Sequence, residues 1–133
     1  MIHDEICTYE VCKLAKEKGF NEYETCTHIY EDDEQWYTLT TYTNAKGIDW
    51  SKDKFTVAPT QSLLQRWLRE EKGYAISVEA YPTLATLNKV CYAWEIKSNS
   101  DGHFMRSVNS EYTYSTYELA LEDALKYALE NFV

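Results

Sequence analysis

Apolar and polar positions recur along this chain with two periods, and the switches between them mark the elements. From Ala58 to Tyr74 the spacing is helical: Leu64, Trp67 and Leu68 fall on one face, Pro59 suits a first turn, and Gly73 suits the left-handed residue that ends a helix. A shorter helix is predicted over Thr8 to Lys18, with Val11, Leu14 and Ala15 inward and Gly19-Phe20 as its stop. Thr25 to Glu31 and Gln35 to Thr43 are rich in Thr, Tyr, Ile and Trp around the acidic corner Asp32-Asp33-Glu34, the signature of a hairpin. After the turn Asn44-Ala45-Lys46-Gly47, Ile48 to Val57 reads as a third, less regular strand or loop. Within the first strand, either Ile29 or the pair Cys26 and His28 can face the core.

The second half repeats the alternation more cleanly. Tyr74, Ile76, Val78 and Ala80 alternate with Ala75, Ser77, Glu79 and Tyr81 until Pro82 stops the strand. Lys89 to Ser98 alternates again, with Val90, Tyr92, Trp94 and Ile96 on one face, and the turn Asn99-Ser100-Asp101-Gly102 leads to a return strand over His103 to Thr113. Ser115-Thr116-Tyr117-Glu118 matches a capping box, with Tyr114 and Leu119 as a hydrophobic staple. The helix that follows, to Asn131, buries Leu121, Ala124, Leu125 and Ala128 and leaves Glu118, Glu122 and Lys126 wetter.

The punctuation recurs at an offset of about 55 residues. Lys18-Gly19-Phe20 answers Lys72-Gly73-Tyr74, Asn44 and Gly47 answer Asn99 and Gly102, Tyr37 answers Tyr92, and Thr60 answers Ser115. The expected architecture is therefore α+β and two-layered: antiparallel β-sheet meanders with helices on one face, in one domain over 1–133. A tandem repeat of a helix plus three strands would occupy 8–57 and 60–113, with a closing helix over 115–131. One sheet face is then left open. In the first repeat Tyr37, Leu39 and Thr41 point inward, and Trp36, Thr38, Thr40 and Tyr42 point out.

Composition sharpens this picture. At 133 residues and 44% apolar content the chain has the size of one ordinary domain with a real core. Its 12 Tyr and 4 Trp exceed what such a core needs, which points to a contact surface. The net charge of −9 disfavours direct nucleic-acid binding, since no basic cluster offsets it. Cys7, Cys12, Cys26 and Cys91 lack framework spacing, MIHDEICTYE has no signal-peptide pattern, and no apolar run approaches a membrane span. A cytoplasmic chain with no membrane contact is expected.

Three stretches, Lys16 to Phe20, Ala58 to Gly73 and Tyr114 to Ala128, resemble those of small proteins from gut Bacteroidetes, a family of uncharacterised function often encoded near phage-like or mobile genes. The likeness consists of structural punctuation. It implies no activity, transfers no catalytic residue, and offers only a mobile-element neighbourhood as a functional hint.

Candidate chemistry is sparse. Glu31-Asp32-Asp33-Glu34 lacks the alternating spacers and turning glycine of a calcium loop and reads as a solvated turn. Cys26 and His28, on one side of a strand, invite zinc with Cys7 or Cys12, but those two, five apart, do not share a helix face, so ordinary buried side chains are the preferred reading. No serine sits in a glycine-flanked strand-to-helix elbow, His3, His28 and His103 are scattered, and Glu79 with Glu95 reads as a solvated sheet face. The expectation is no enzyme, no metal and no cofactor. The chain instead reads as a non-catalytic accessory or interaction domain, meeting a protein partner or a second copy of itself through exposed rings: Trp36 and Tyr42 six apart on one strand, Tyr81 on another, and Trp50 beside or over them. The alternative is an acidic inhibitor that mimics DNA in the basic cleft of a nucleic-acid enzyme. Against it, Lys13, Lys16, Lys18, Arg66, Arg69 and Lys72 are interspersed with the acids.

Overall fold

The computed structural model describes residues 5–22, 26, 28–31, 36–38, 55–82, 90–98, 104–106 and 114–133. The fold is α+β, with two antiparallel sheets and three α-helices among these residues. The chain divides into two compact units, Met1–Leu64 and Gln65–Val133.

In the first unit, Thr8 caps helix α1 (Tyr9–Glu17) by accepting the Val11 N–H on its hydroxyl. The helix stops as its sequence indicates. Gly19 takes φ +95°, its N–H bonds the Lys16 carbonyl, and the Phe20 N–H reaches the Ala15 carbonyl at 2.9 Å, the paired bonds of a Schellman motif. Val11, Cys12, Ala15 and Phe20 are buried, whereas Leu14, expected inward, is half-buried. Strands β1 (His28–Glu31), β2 (Trp36–Thr38) and β3 (Phe55–Val57) follow, with β1 in the middle and antiparallel to both neighbours.

That order departs from a meander, because β3 returns to the far side of β1 instead of pairing with β2. Neighbouring residues Ile29 and Tyr30, like Thr56 and Val57, are all buried, so both faces of these strands are covered and the expected open face does not extend to them. Of the two choices, Ile29 or the pair Cys26 and His28, the structure buries Ile29 and Cys26 and leaves His28 half-buried. Tyr30 packs edge-on against Tyr9 and donates its hydroxyl to the Cys7 carbonyl at 2.7 Å. The same carbonyl lies 3.6 Å from the Cys12 thiol, and the Cys7 N–H bonds the Pro59 carbonyl. An Ile6–Thr60 bridge and a Gln61 N–H bond to the Glu5 carbonyl complete this short pairing.

Pro59 accordingly lies before helix α2 (Gln61–Trp67), not in its first turn. Thr60 supplies the cap, its hydroxyl accepting the Leu63 N–H. The helix widens into a π turn over Leu68–Lys72, closed by Gly73 at φ +79°, whose N–H bonds the Leu68 carbonyl. Leu64, Trp67 and Leu68 are buried as their spacing predicts, and the Lys72 ammonium lies 5.3 Å from the Trp67 ring centroid.

The second unit is a true meander: β4 (Tyr74–Pro82), β5 (Val90–Ser98) and β6 (Phe104–Arg106), in that order. Ile76 lies across from Ile96 and Val78 across from Trp94, on the face that helix α3 (Tyr117–Asn131) covers with its Ala120, Ala124 and Ala128 row and the adjoining Leu121, Leu125 and Leu129.

The cap of α3 falls one residue later than the capping box places it. Thr116, with extended backbone at φ −134° and ψ 156°, accepts the Leu119 N–H at 3.1 Å. Glu118 then sits at the second helical position and the box cannot close. The staple is also absent: Tyr114 turns its hydroxyl to Asp123, and Leu119 is 53% exposed. The repeat loses its step here. The two left-handed glycines, Gly19 and Gly73, are 54 apart, while the two cap threonines, Thr60 and Thr116, are 56 apart.

Candidate functional site

Of the four rings expected to form a contact surface, Tyr42 and Trp50 lie outside the described residues. Trp36 is in β2 of the first unit, in register with Tyr30, and Tyr81 is in β4 of the second, in register with Cys91. The acidic corner Asp32-Asp33-Glu34 and the histidines His3 and His103 also fall outside the described residues. Cys7, Cys12 and Cys26 are buried and in no disulfide, and the Cys26 thiol donates to the Glu22 carbonyl. His28 is partly buried, which lowers its pKa below the ordinary histidine value of 6.5 and favours the neutral ring. Among the described residues no group of three or more His, Cys, Asp or Glu is placed to hold a metal ion. Nor is any helix there long and apolar enough to cross a membrane.

The sequence reading did not anticipate the aromatic row between α3 and the second sheet. Its order follows from two periodicities meeting, the even residues of β4 and β5 on one side and the inner face of α3 on the other. The Tyr92 ring meets Tyr117 edge-on at 6.2 Å, Trp94 lies tilted against Tyr127 at 5.1 Å, and Tyr74 stacks on Phe132 at 5.2 Å. Asp123 anchors the middle. Its Oδ2 accepts the Trp94 indole N–H at 3.2 Å and the Tyr114 hydroxyl. Both donors are held by one carboxylate oxygen, so the arrangement orients rings and seals a covered face. Tyr114 further exchanges both backbone bonds with Tyr92, tying the entry of α3 to the sheet.

Towards the N-terminal end of α3 the cover gives out. Val90, on the face expected to be inward, is 48% exposed, Tyr117 is 41% exposed, and Tyr92 between them is half-buried. Across the ladder from Tyr92, Ala80 is exposed as well. Because apolar periodicity reports only the parity of a strand position, Val90 was legible as sharing a face with Trp94 but not as lying beyond the helix. On the opposite face of the sheet Ser77 and Glu79 are exposed, and Glu95 is half-buried with Lys97 at 3.6 Å. Glu79 and Glu95 therefore share a face, diagonally across β4 and β5.

The site at hand is thus an apolar, ring-bearing end of a sheet rather than a cluster of reactive groups. Compared with protein-family models, curated proteins and solved structures, the chain matches none.

Proposed function

We propose that this chain is a non-catalytic protein-interaction domain whose contact surface is the uncovered end of the second sheet. The observation that carries the reading is the group Val90, Tyr92 and Tyr117, in which two large apolar side chains stay about half exposed beside the half-buried Tyr92, whose ring meets Tyr117 edge-on. Apolar side chains grouped in this way and rimmed by polar residues are typical of contact sites, and tyrosine supplies large contact area at small entropic cost. The alternative of DNA mimicry asks for an unbroken acidic band. Arg66 with Glu70, Glu95 with Lys97, and Lys126 with Glu130 instead neutralise acids locally, as on an ordinary solvated surface.

The test compares the wild-type chain with a Val90→Asp, Tyr117→Ser variant in affinity capture from lysate of the source organism and in sedimentation velocity. Loss of a specific captured protein or of self-association, at an unchanged melting temperature, supports the reading. An identical captured set and identical sedimentation for both proteins overturns it.

A further inference from the structure

The geometry points to Cys7 and Cys12 as a dithiol that a peroxide closes into a disulfide, so that the entry of helix α1 is held more firmly in the oxidised chain than in the reduced one. The pair lies in the first unit and is independent of the contact surface proposed above.

Spacing alone keeps these thiols apart, because residues five apart on one helix do not share a face. Cys7, however, lies outside the helix. Thr8 is the cap, so Cys7 immediately precedes it and Cys12 is the fourth residue of α1. Those are the two positions whose side chains meet in a hydrophobic staple, where the chain folds back over the first turn. Both are fully buried. With Thr8 at φ −65° and ψ 158° ahead of a helix of standard rise, their Cα atoms fall about 6 Å apart, inside the span that a disulfide bridges. The Cys12 sulfur already reaches across this turn, 3.6 Å from the Cys7 carbonyl oxygen. Rotation of the two side chains and a small shift of the turn bring the sulfurs together.

The other cysteines are placed differently. The Cys26 thiol is directed to the Glu22 carbonyl, and Cys91 is in β5 of the second unit. Among the described residues no third His, Cys, Asp or Glu joins Cys7 and Cys12 around a metal, so oxidation is the distinctive chemistry open to this pair.

Burial protects both sulfurs until the segment over them opens. That segment is short. The Cys7 N–H bonds the Pro59 carbonyl at 3.0 Å, the Gln61 N–H bonds the Glu5 carbonyl at 2.8 Å, and Ile6 bridges to Thr60. So short a pairing opens locally without global unfolding. In the open state one sulfur, as thiolate, attacks an oxygen of hydrogen peroxide; the O–O bond breaks, leaving a sulfenic acid and hydroxide. The second thiol displaces the sulfenic hydroxyl as water, forming the S–S bond, and its proton neutralises the hydroxide. Two thiols thus lose two electrons and two protons while one peroxide becomes two waters. A small dithiol reverses the bond by exchange. Once closed, the bond ties Cys7 to α1 and restricts the open ensemble.

The experiment treats the reduced full chain with a few equivalents of hydrogen peroxide at pH 7, then denatures it, alkylates remaining thiols and cleaves after glutamate. Cutting after Glu5, Glu10 and Glu17 places Cys7 and Cys12 on separate fragments, so only a disulfide holds them together. The joined fragments are expected, lost again on treatment with dithiothreitol. Amide hydrogen exchange over 5–7 should slow by about tenfold in the oxidised chain. Cys12→Ser should abolish both effects and Cys26→Ser neither, and the mapping on the wild-type chain decides even where a variant does not fold. Recovery of Cys7 and Cys12 as alkylated thiols at a dose that oxidises Cys91, or as separate sulfinic acids, overturns the proposal. So does a joined fragment with unchanged exchange, because the bond would then hold nothing in the folded chain.

Discussion

Single side chains set the limits of what this molecule can do. Trp67 is the most informative of them: it is buried on the face it shares with Leu64 and Leu68, and the Lys72 ammonium lies over its ring. Removing so large an apolar group leaves a cavity its neighbours refill only in part, so Trp67→Ala should lower stability by about 3–5 kcal/mol in urea melts. Lys72→Ala removes only an exposed cation from the ring and should cost no more than about 1 kcal/mol. Similar losses from the two variants would show that the ring is held by its charge contact rather than by packing. Asp123 illustrates the opposite case, a half-buried acid whose place nothing in the spacing of the chain announces. Its role depends on Trp94 and Tyr114 arriving from elsewhere in the chain, and only the folded backbone brings the three together.

At the scale of elements, the sequence was most readable where a stop signal has a single physical meaning. Gly19 and Gly73 end their helices with positive φ because an L side chain resists that region, and both stops were placed correctly. Strands β4 and β5 were equally legible, since Tyr74 to Ala80 and Val90 to Ile96 alternate without interruption. The cap of α3 was not, because Ser115 and Thr116 are both competent caps and only the backbone at the helix entry decides between them. Thr116 wins by bonding the Leu119 N–H. Thr116→Ala should therefore destabilise by about 1 kcal/mol, with Ser115→Ala costing less, in paired thermal melts. Equal losses would mean that the cap is shared. The π turn over Leu68–Lys72 was also hidden: it keeps helical spacing in the sequence, and its wider bond appears only between Gly73 and Leu68. The large apolar side chains exposed among the described residues, Val90, Tyr117 and Leu119, are not among the rings that the sequence singled out. Exposure depends on where α3 begins relative to the strand ends, and no local pattern encodes that distance.

For the whole molecule, topology and charge tell different stories about the two halves. The halves share a helix followed by strands, but their sheet orders differ, β2-β1-β3 against β4-β5-β6, so similar punctuation has produced dissimilar connections. A turn signal fixes where the chain reverses, not which side of the sheet the next strand joins. Charge is simpler because it sums. With 22 acidic residues against 13 basic ones, the folded chain concentrates an excess of like charge that the unfolded chain can spread out. The ion pairs at Arg66–Glu70, Glu95–Lys97 and Lys126–Glu130 each include an exposed partner and are worth little individually. Screening should consequently relieve more repulsion than it removes attraction. Raising sodium chloride from low concentration to a few tenths molar at pH 7 is expected to increase Tm, with most of the gain complete once the Debye length falls to about 8 Å near physiological ionic strength. Lys126→Glu would then lower Tm at low salt and recover part of the loss as salt is added. A Tm that falls with salt would show that paired charges, rather than their excess, govern stability.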